Sequence, residues 1–239
     1  MIEFADINDK KELSSLWRTT FLEDSQVINN FFDNIFQTVV TPAIKIDGKI
    51  ASSLFLLPCK IGNYKGKCVY CAMTKYSHRG KGYMKELLDF SYNYCKENGF
   101  DFLFLVPAED SLFGYYEKCG FQRFGTSRTY TFNDTSPETK GKLVFNYELE
   151  FDKSILDYWK NSCIVYGGEV TDFGLVFDDE ETVIRNAKGN YSDISEKHKK
   201  AGTVIQGNIS FGEEYTPAMI KTENEIIKNL NCYIGITLE

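Results

Sequence analysis

One change of hydrophobic period constrains this chain more than anything else in it. Lys67 to Tyr76 is a mostly apolar, β-branched run that reads as a strand. It stops at Ser77-His78-Arg79-Gly80-Lys81-Gly82, where two glycines sit among three side chains able to carry positive charge. From Tyr83 the apolar positions recur at helical steps: Tyr83, Leu87, Phe90 and Tyr94, with Met84, Leu88 and Cys95 beside them. Asn98-Gly99 supplies a left-handed stop. Phe100 to Val106 is then almost continuously apolar, as a strand covered on both faces must be. A short helix over Ser111 to Cys119 follows, with Asp110 expected as its N-cap.

The junction has a chemical consequence. The first turn of a helix points unpaired N–H groups outward, and the helix dipole adds partial positive charge there. Glycines let the backbone approach an anion closely, and Arg79 and Lys81 add side-chain charge. The stretch lacks the G-x-x-x-x-G-K-[ST] of a nucleoside-triphosphate loop, and it lacks the G-x-G-x-x-G of a dinucleotide site. Alone it leaves two readings open, a phosphate site and an ordinary α/β turn.

A second motif, downstream and in order, weighs on that choice. Arg79 to Met84 is similar to the acetyl-CoA signature R/Q-x-x-G-x-G/A of the GNAT-type N-acetyltransferases. Tyr116-Glu117-Lys118-Cys119-Gly120-Phe121 resembles the Y-E-K-x-G-F segment that closes their active site. One helix and one strand lie between them, as in the family, and the resemblance covers roughly the first 130 residues. Met84 departs from the pattern, standing where the family has Gly or Ala. The resemblance implies a GNAT acyl-CoA N-acyltransferase fold, an α/β (α+β) architecture with a mixed, mostly antiparallel sheet flanked by helices.

The remaining elements fit that order. Ile2 to Ile7 reads as a strand, and Lys11 to Phe21 and Ser25 to Gln37 as helices. Ala43 to Ile46 and Lys49 to Leu57 form a hairpin across Asp47-Gly48. Asn63 to Gly66 is expected as the next turn. In the family the early helices wall the acceptor pocket. Asn133 to Lys142 holds no large apolar residue and reads as a linker. Residues 1–132 are therefore expected as one domain and 143–239 as a smaller α+β lobe, a degenerate second GNAT-like half being one reading of it. There Lys142 to Glu150, Leu175 to Phe177, Thr182 to Asn186, Thr203 to Ile209 and Cys232 to Leu238 read as strands. Ser154 to Ile164 reads as a helix, and Ala218 to Leu230 mixes strand with helix.

Composition narrows the function classes. At 239 residues and 43% hydrophobic the chain can bury an ample core. The net charge of −7 disfavours general binding to nucleic acid or anionic membrane. It is also unevenly shared, with 16 Lys and Arg against 17 Asp and Glu in residues 1–139 and 11 against 17 thereafter. No apolar run nears the roughly 20 residues a spanning helix needs. Seven cysteines, an odd number with no secretory segment ahead of them, fit reduced thiols in a cytoplasmic protein. Cys68 and Cys71 form a C-x-x-C, but residues three apart on a strand point to opposite faces, and no metal is expected. Lys197 to Lys200 is too brief a basic run for nucleic-acid recognition.

What the resemblance implies for chemistry can be assigned residue by residue. The co-substrate is acetyl-CoA, and the acceptor an amine of a small molecule or peptide, attacked directly in a ternary complex. The turn Ser77, His78, Arg79, Gly80, Lys81 and Gly82, with Tyr83 and Met84 opening the helix, is expected to hold the diphosphate. Ala72, Met73 and Thr74 would bind the pantetheine arm, with an N–H near Met73 as oxyanion donor. Tyr116 is the candidate general acid, and Tyr115 a packing residue or cofactor contact. Glu109 is a candidate base, Glu239 with the terminal carboxylate a second. Members of the family often dimerise. The other functional class that fits is a non-catalytic acyl-CoA-binding sensor or scaffold; a longer acyl-CoA or an aminoacyl-tRNA as donor is a third reading, the lack of a basic surface arguing against tRNA.

Overall fold

The computed structural model describes residues 1–133, 145–172, 174–177, 182–189, 194–209 and 211–235. Most of the expected linker, together with Glu239, lies outside these residues. In the first half the order is β1 (Ile2–Phe4), α1 (Lys10–Phe21), α2 (Ser25–Asn34), β2 (Pro42–Ile46), β3 (Lys49–Ile61) and β4 (Tyr64–Thr74). Then come α3 (Tyr83–Glu97), β5 (Phe102–Leu105), α4 (Phe113–Lys118), β6 (Gln122–Phe124) and β7 (Ser127–Thr131). In the second half β8 (Tyr147–Phe151) and α5 (Lys153–Val165) lead into β9 (Glu169–Val170), β10 (Leu175–Phe177), β11 (Val183–Gly189), β12 (Val204–Ile209) and β13 (Glu213–Tyr215). The chain returns through β14 (Ala218–Lys221), α6 (Glu225–Lys228) and β15 (Cys232–Tyr233).

Local chemistry explains where the boundaries differ from expectation. The first strand stops at Phe4 because Asp6 caps a 3₁₀ turn over Ile7–Asp9 in a capping box. The turn before β4 is Gly62-Asn63 rather than Asn63 to Gly66, with Gly62 at φ 57°. Gly66 belongs to β4 itself. A Cβ there would sit 2.2 Å from the Phe102 ring, so glycine is what lets β4 and β5 pair at this point.

The central sheet runs β1-β2-β3-β4-β5-β14-β6, with β8 pairing the far end of β3 and β15 pairing β8. Its two faces are read out of the period-2 alternation. Phe55, Leu57, Phe102 and Phe104 meet α1, α2 and α5 on one side; Leu54, Leu56, Leu103 and Leu105 meet α3 and α4 on the other. The near-continuous apolar run of β5 thus comes from burial on both faces. A second sheet, β13-β7-β12-β11-β10-β9, has its own smaller core around Ile184, Ile205 and Phe211.

The halves interlock. Strand β14, from residue 218 onward, is hydrogen-bonded to β5 on one side and β6 on the other. Conversely β7 of the first half joins the second sheet through β12 and β13. The sequence expectation of two consecutive lobes is therefore crossed by strands in both directions. All seven cysteines are free thiols. Among the described residues no helix is long and apolar enough to cross a membrane.

Candidate active site

Strand β4 is built to let go of its neighbour. It pairs with β5 in parallel only at Gly66, Lys67 and Cys68, whose last partner is Phe104. Beyond that point β4 stays with β3 alone, through Ser53↔Met73 and Ser52↔Thr74. A bulge marks the change: the register shifts between Ser53 and Phe55, and Cys71 takes φ 48°. Left-handed backbone at a non-glycine residue is uncommon, and surrounding pairing has to hold it. Here the end of β4 is pinned by Ser52 Oγ, which donates to the Met73 carbonyl (3.0 Å), and by Lys75 N–H to the Ala51 carbonyl (2.9 Å).

The bulge also overturns the sequence expectation that Cys68 and Cys71 face opposite ways. Tyr70 and Cys71, consecutive residues, both pack against the α1/α2 side, as Cys68 does. Burial pushes both thiols up. Among the described residues no three metal-binding side chains converge.

Where β4 and β5 part, a cleft of about 520 Å³ opens. Ala72 and Thr74 form its strand wall, His78, Arg79, Gly80 and Gly82 its floor, and Tyr83, Met84 and Lys85 the first turn of α3. Leu112, Tyr115 and Tyr116 face them from the α4 region, and Thr20 closes the α1 end. Gly80 and Gly82 have φ of 74° and 84°. A Cβ at either would meet nothing within 4 Å, so the glycines are there for the backbone conformation. Gly82 is the N-cap of α3 and offers no side-chain cap, which leaves first-turn amides facing outward. Arg79 is held by its Nε, which donates to the Thr74 carbonyl at 3.2 Å. His78 Nδ1 lies 2.9 Å from Ser77 Oγ.

The sequence-selected residues thus fall into groups. Ala72, Thr74, His78, Arg79, Gly80, Gly82, Tyr83, Met84, Tyr115 and Tyr116 share the cleft. Met73 is fully buried in the sheet core, and Ser77 and Lys81 sit on the turn outside the lining. Glu109 is exposed, accepts from Ser111 Oγ at 2.6 Å, and borders a separate depression with Gln206 and Tyr215. Asp110 is not a helix cap: it opens a 3₁₀ turn, Asp110–Leu112, that leads into α4. Thr20, Lys85 and Leu112 were not legible as site residues. Lys85 is paired with Asp89 at 2.6 Å.

The two tyrosines differ. Tyr116 is 8% exposed and its phenol is pushed up to about 12, chiefly by burial and then by Cys119. Tyr115 is 37% exposed, and its ring stands 5.3 Å from that of Tyr116. Burial raises its phenol too, with Cys119 as hydrogen-bond partner.

The site is thus a strand parted from its parallel neighbour, with an uncapped glycine turn and a helix N-terminus at the mouth. The model for the acetyltransferase (GNAT) domain matches residues 2–124, just over half of the sequence. The chain belongs to the GNAT acetyltransferase family. Among solved structures, a probable N-acyltransferase from Enterococcus faecalis, described as a conserved protein of unknown function, superposes with a TM-score of 0.66 at 12% identity; the match covers 93% of this chain and 72% of that one. Partial matches include the Escherichia coli GNAT protein YhbS in complex with CoA (TM-score 0.44, 15% identity, 51% and 68% covered). A Brucella melitensis GNAT acetyltransferase with acetyl-CoA matches similarly (TM-score 0.43, 15% identity, 51% and 82% covered). No curated relative matches the sequence.

Proposed function

We propose that the protein is an acetyl-CoA-dependent N-acetyltransferase of the cytoplasm that passes the acetyl group directly to an amine of a small molecule or peptide. The observation that carries this reading is the parting of β4 from β5 beside the uncapped N-terminus of α3. An extended arm can add to the free edge of β4 at Ala72 to Thr74, while the amides of the Gly80–Gly82 turn and the charge of Arg79 and Lys81 meet a diphosphate. The thioester carbonyl then lies at the bulge, where backbone N–H groups stabilise its oxyanion. Tyr116, protonated at any physiological pH, gives a proton to the departing thiolate. Tyr115 contacts the coenzyme.

Titration calorimetry of CoA against the wild type, Arg79→Ala and Gly82→Val tests the reading. Valine at φ 84° forces the turn open, and a loss of about 10- to 100-fold in affinity is expected. Unchanged affinity in both variants would remove the turn as the coenzyme site.

A further inference from the structure

A lysine of the second half reaches beneath the coenzyme cleft without lining it. Lys221 ends β14, and its side chain is 16% exposed. Its ammonium donates to Oδ1 of Asp89 on α3 at 3.0 Å and to the Cys119 carbonyl, just past α4, at 2.8 Å. The same charge lies 5.0 Å from the centre of the Tyr92 ring. A Cβ on Gly120, whose φ is 84°, would sit 3.3 Å from Lys221 Cε, so the glycine after α4 gives the lysine stem its passage. One side chain thus clasps the two helices whose Lys85, Tyr115 and Tyr116 form walls of the cleft.

Asp89 is shared between two lysines. Its Oδ2 accepts from Lys85 at 2.6 Å, while Lys221 takes Oδ1. Burial pushes the Asp89 carboxyl up, but the two lysines outweigh it and hold the group below its usual value. Lys85 does little to strengthen α3. It stands in the first turn, where the helix dipole opposes a cation. A cation four residues before its acid is also the weaker order for a helical pair. Both side chains are exposed, at 54% and 42%, and such pairs contribute little on a protein surface. What distinguishes Lys85 is its place: it lines the cleft, and among the described residues no carboxylate does. Lys85, Asp89 and Lys221 together carry one net positive charge. Without Lys221 that charge is cancelled, and Asp89 holds Lys85 to itself.

We propose that Lys221 is a positioning residue of the coenzyme site: by occupying Oδ1 of Asp89 it allows Lys85 to swing from Oδ2 onto a phosphate of the coenzyme. The second half of the chain thereby sets the charge of a cleft that it does not line. This rests on the acetyltransferase reading. The ligand chemistry is a phosphate oxygen, met by an ammonium as a point charge.

Calorimetric titration of CoA into the wild type and variants of the full chain tests the inference. Lys85→Met and Lys221→Met are each expected to weaken CoA about 10-fold at low salt. Asp89→Asn, which releases both lysines, should tighten it about threefold. The deciding variant combines Lys221→Met with Asp89→Asn. Released from the acid, Lys85 serves again, and affinity should return to within about threefold of wild type. A merely structural clasp predicts the reverse, because the second substitution removes one more contact. A double variant no tighter than Lys221→Met overturns the proposal, and so does Lys85→Met with wild-type affinity. The latter decides the matter even if Lys221→Met does not fold, since Lys85 and Asp89 are exposed. 3′-Dephospho-CoA separates the two phosphate sources. A loss confined to CoA assigns Lys85 to the 3′-phosphate, and an equal loss with both assigns it to the diphosphate. A wild type that binds no CoA brings down the acetyltransferase reading, and this inference with it.

Discussion

The cleft and the α1/α2 side of β4 are made in opposite ways. At the α3 end the groups are local in sequence: Arg79 to Met84 arrive on one turn, and what they offer is backbone amides and positive charge. At the α1 end nothing is local. Glu23 from one turn, Tyr70 and Cys71 from a bulged strand and Tyr158 and Tyr166 from the second half come together only when the whole chain has folded. On the proposed reading the first suits an anion with a long tail. A coenzyme shared by a family needs a fixed grip, whereas an acceptor is chosen by whatever surrounds the other mouth. On the proposed reading, the choice of acceptor falls to residues of the second half of the chain.

The sharpest way to break this contrast is to move one end and watch the other. Tyr116→Phe should lower kcat by about 100-fold, the lower range for a lost general acid, with CoA affinity unchanged by calorimetry. A parallel fall in affinity would mean that Tyr116 serves the coenzyme end instead. Tyr158→Phe removes one hydroxyl from the hydrogen bond between Tyr158 and Tyr70. It should raise KM for the amine about fivefold, in keeping with roughly 1 kcal/mol for a hydrogen bond, and leave CoA binding alone.

Acidity gives two smaller tests. Because burial holds Tyr116 at about 12, it stays protonated and competent across the working range, so no alkaline loss of kcat should appear below about pH 10. Glu23 has the opposite bearing on stability. Its folded carboxyl is raised by burial, so the folded state binds that proton more tightly than the unfolded chain does. The resulting stabilisation is complete below the unfolded value and is lost as pH rises through the folded one. Glu23→Gln should therefore melt slightly above wild type at about pH 7.5 and equal to it near about pH 3.5, by calorimetric Tm. A variant less stable than wild type at neutral pH would reverse that sign.

What could be read from the sequence follows the same divide. The change of period at Ser77, the positive-φ glycines and the two-faced strand at Phe102 are local signals, and each lies where it was expected. Cys71 was misread because a bulge inserts one residue into the alternation, and no residue type in C-V-Y-C announces it. Asp110 looked like a cap, but the helix begins three residues later. The hydrogen bond between Glu23 and Tyr166 was invisible: its partners lie 143 residues apart. The crossing of strands between the halves was hidden for a related reason. Ala218 to Lys221 is a short apolar run that any sheet could have taken, and only the gap between β5 and β6 selects it.

That gap has a consequence during synthesis. A bacterial or eukaryotic ribosome adds about 5 to 20 residues per second, so Phe124 waits roughly 5 to 20 seconds for Ala218 to be made. Until then β5 and β6 each show a bare hydrogen-bonding edge flanked by Phe104, Leu105 and Phe124. The nascent chain is thus most vulnerable to sticking to its neighbours between the synthesis of Phe124 and that of Ala218, and a cellular chaperone that shields such an edge would act there.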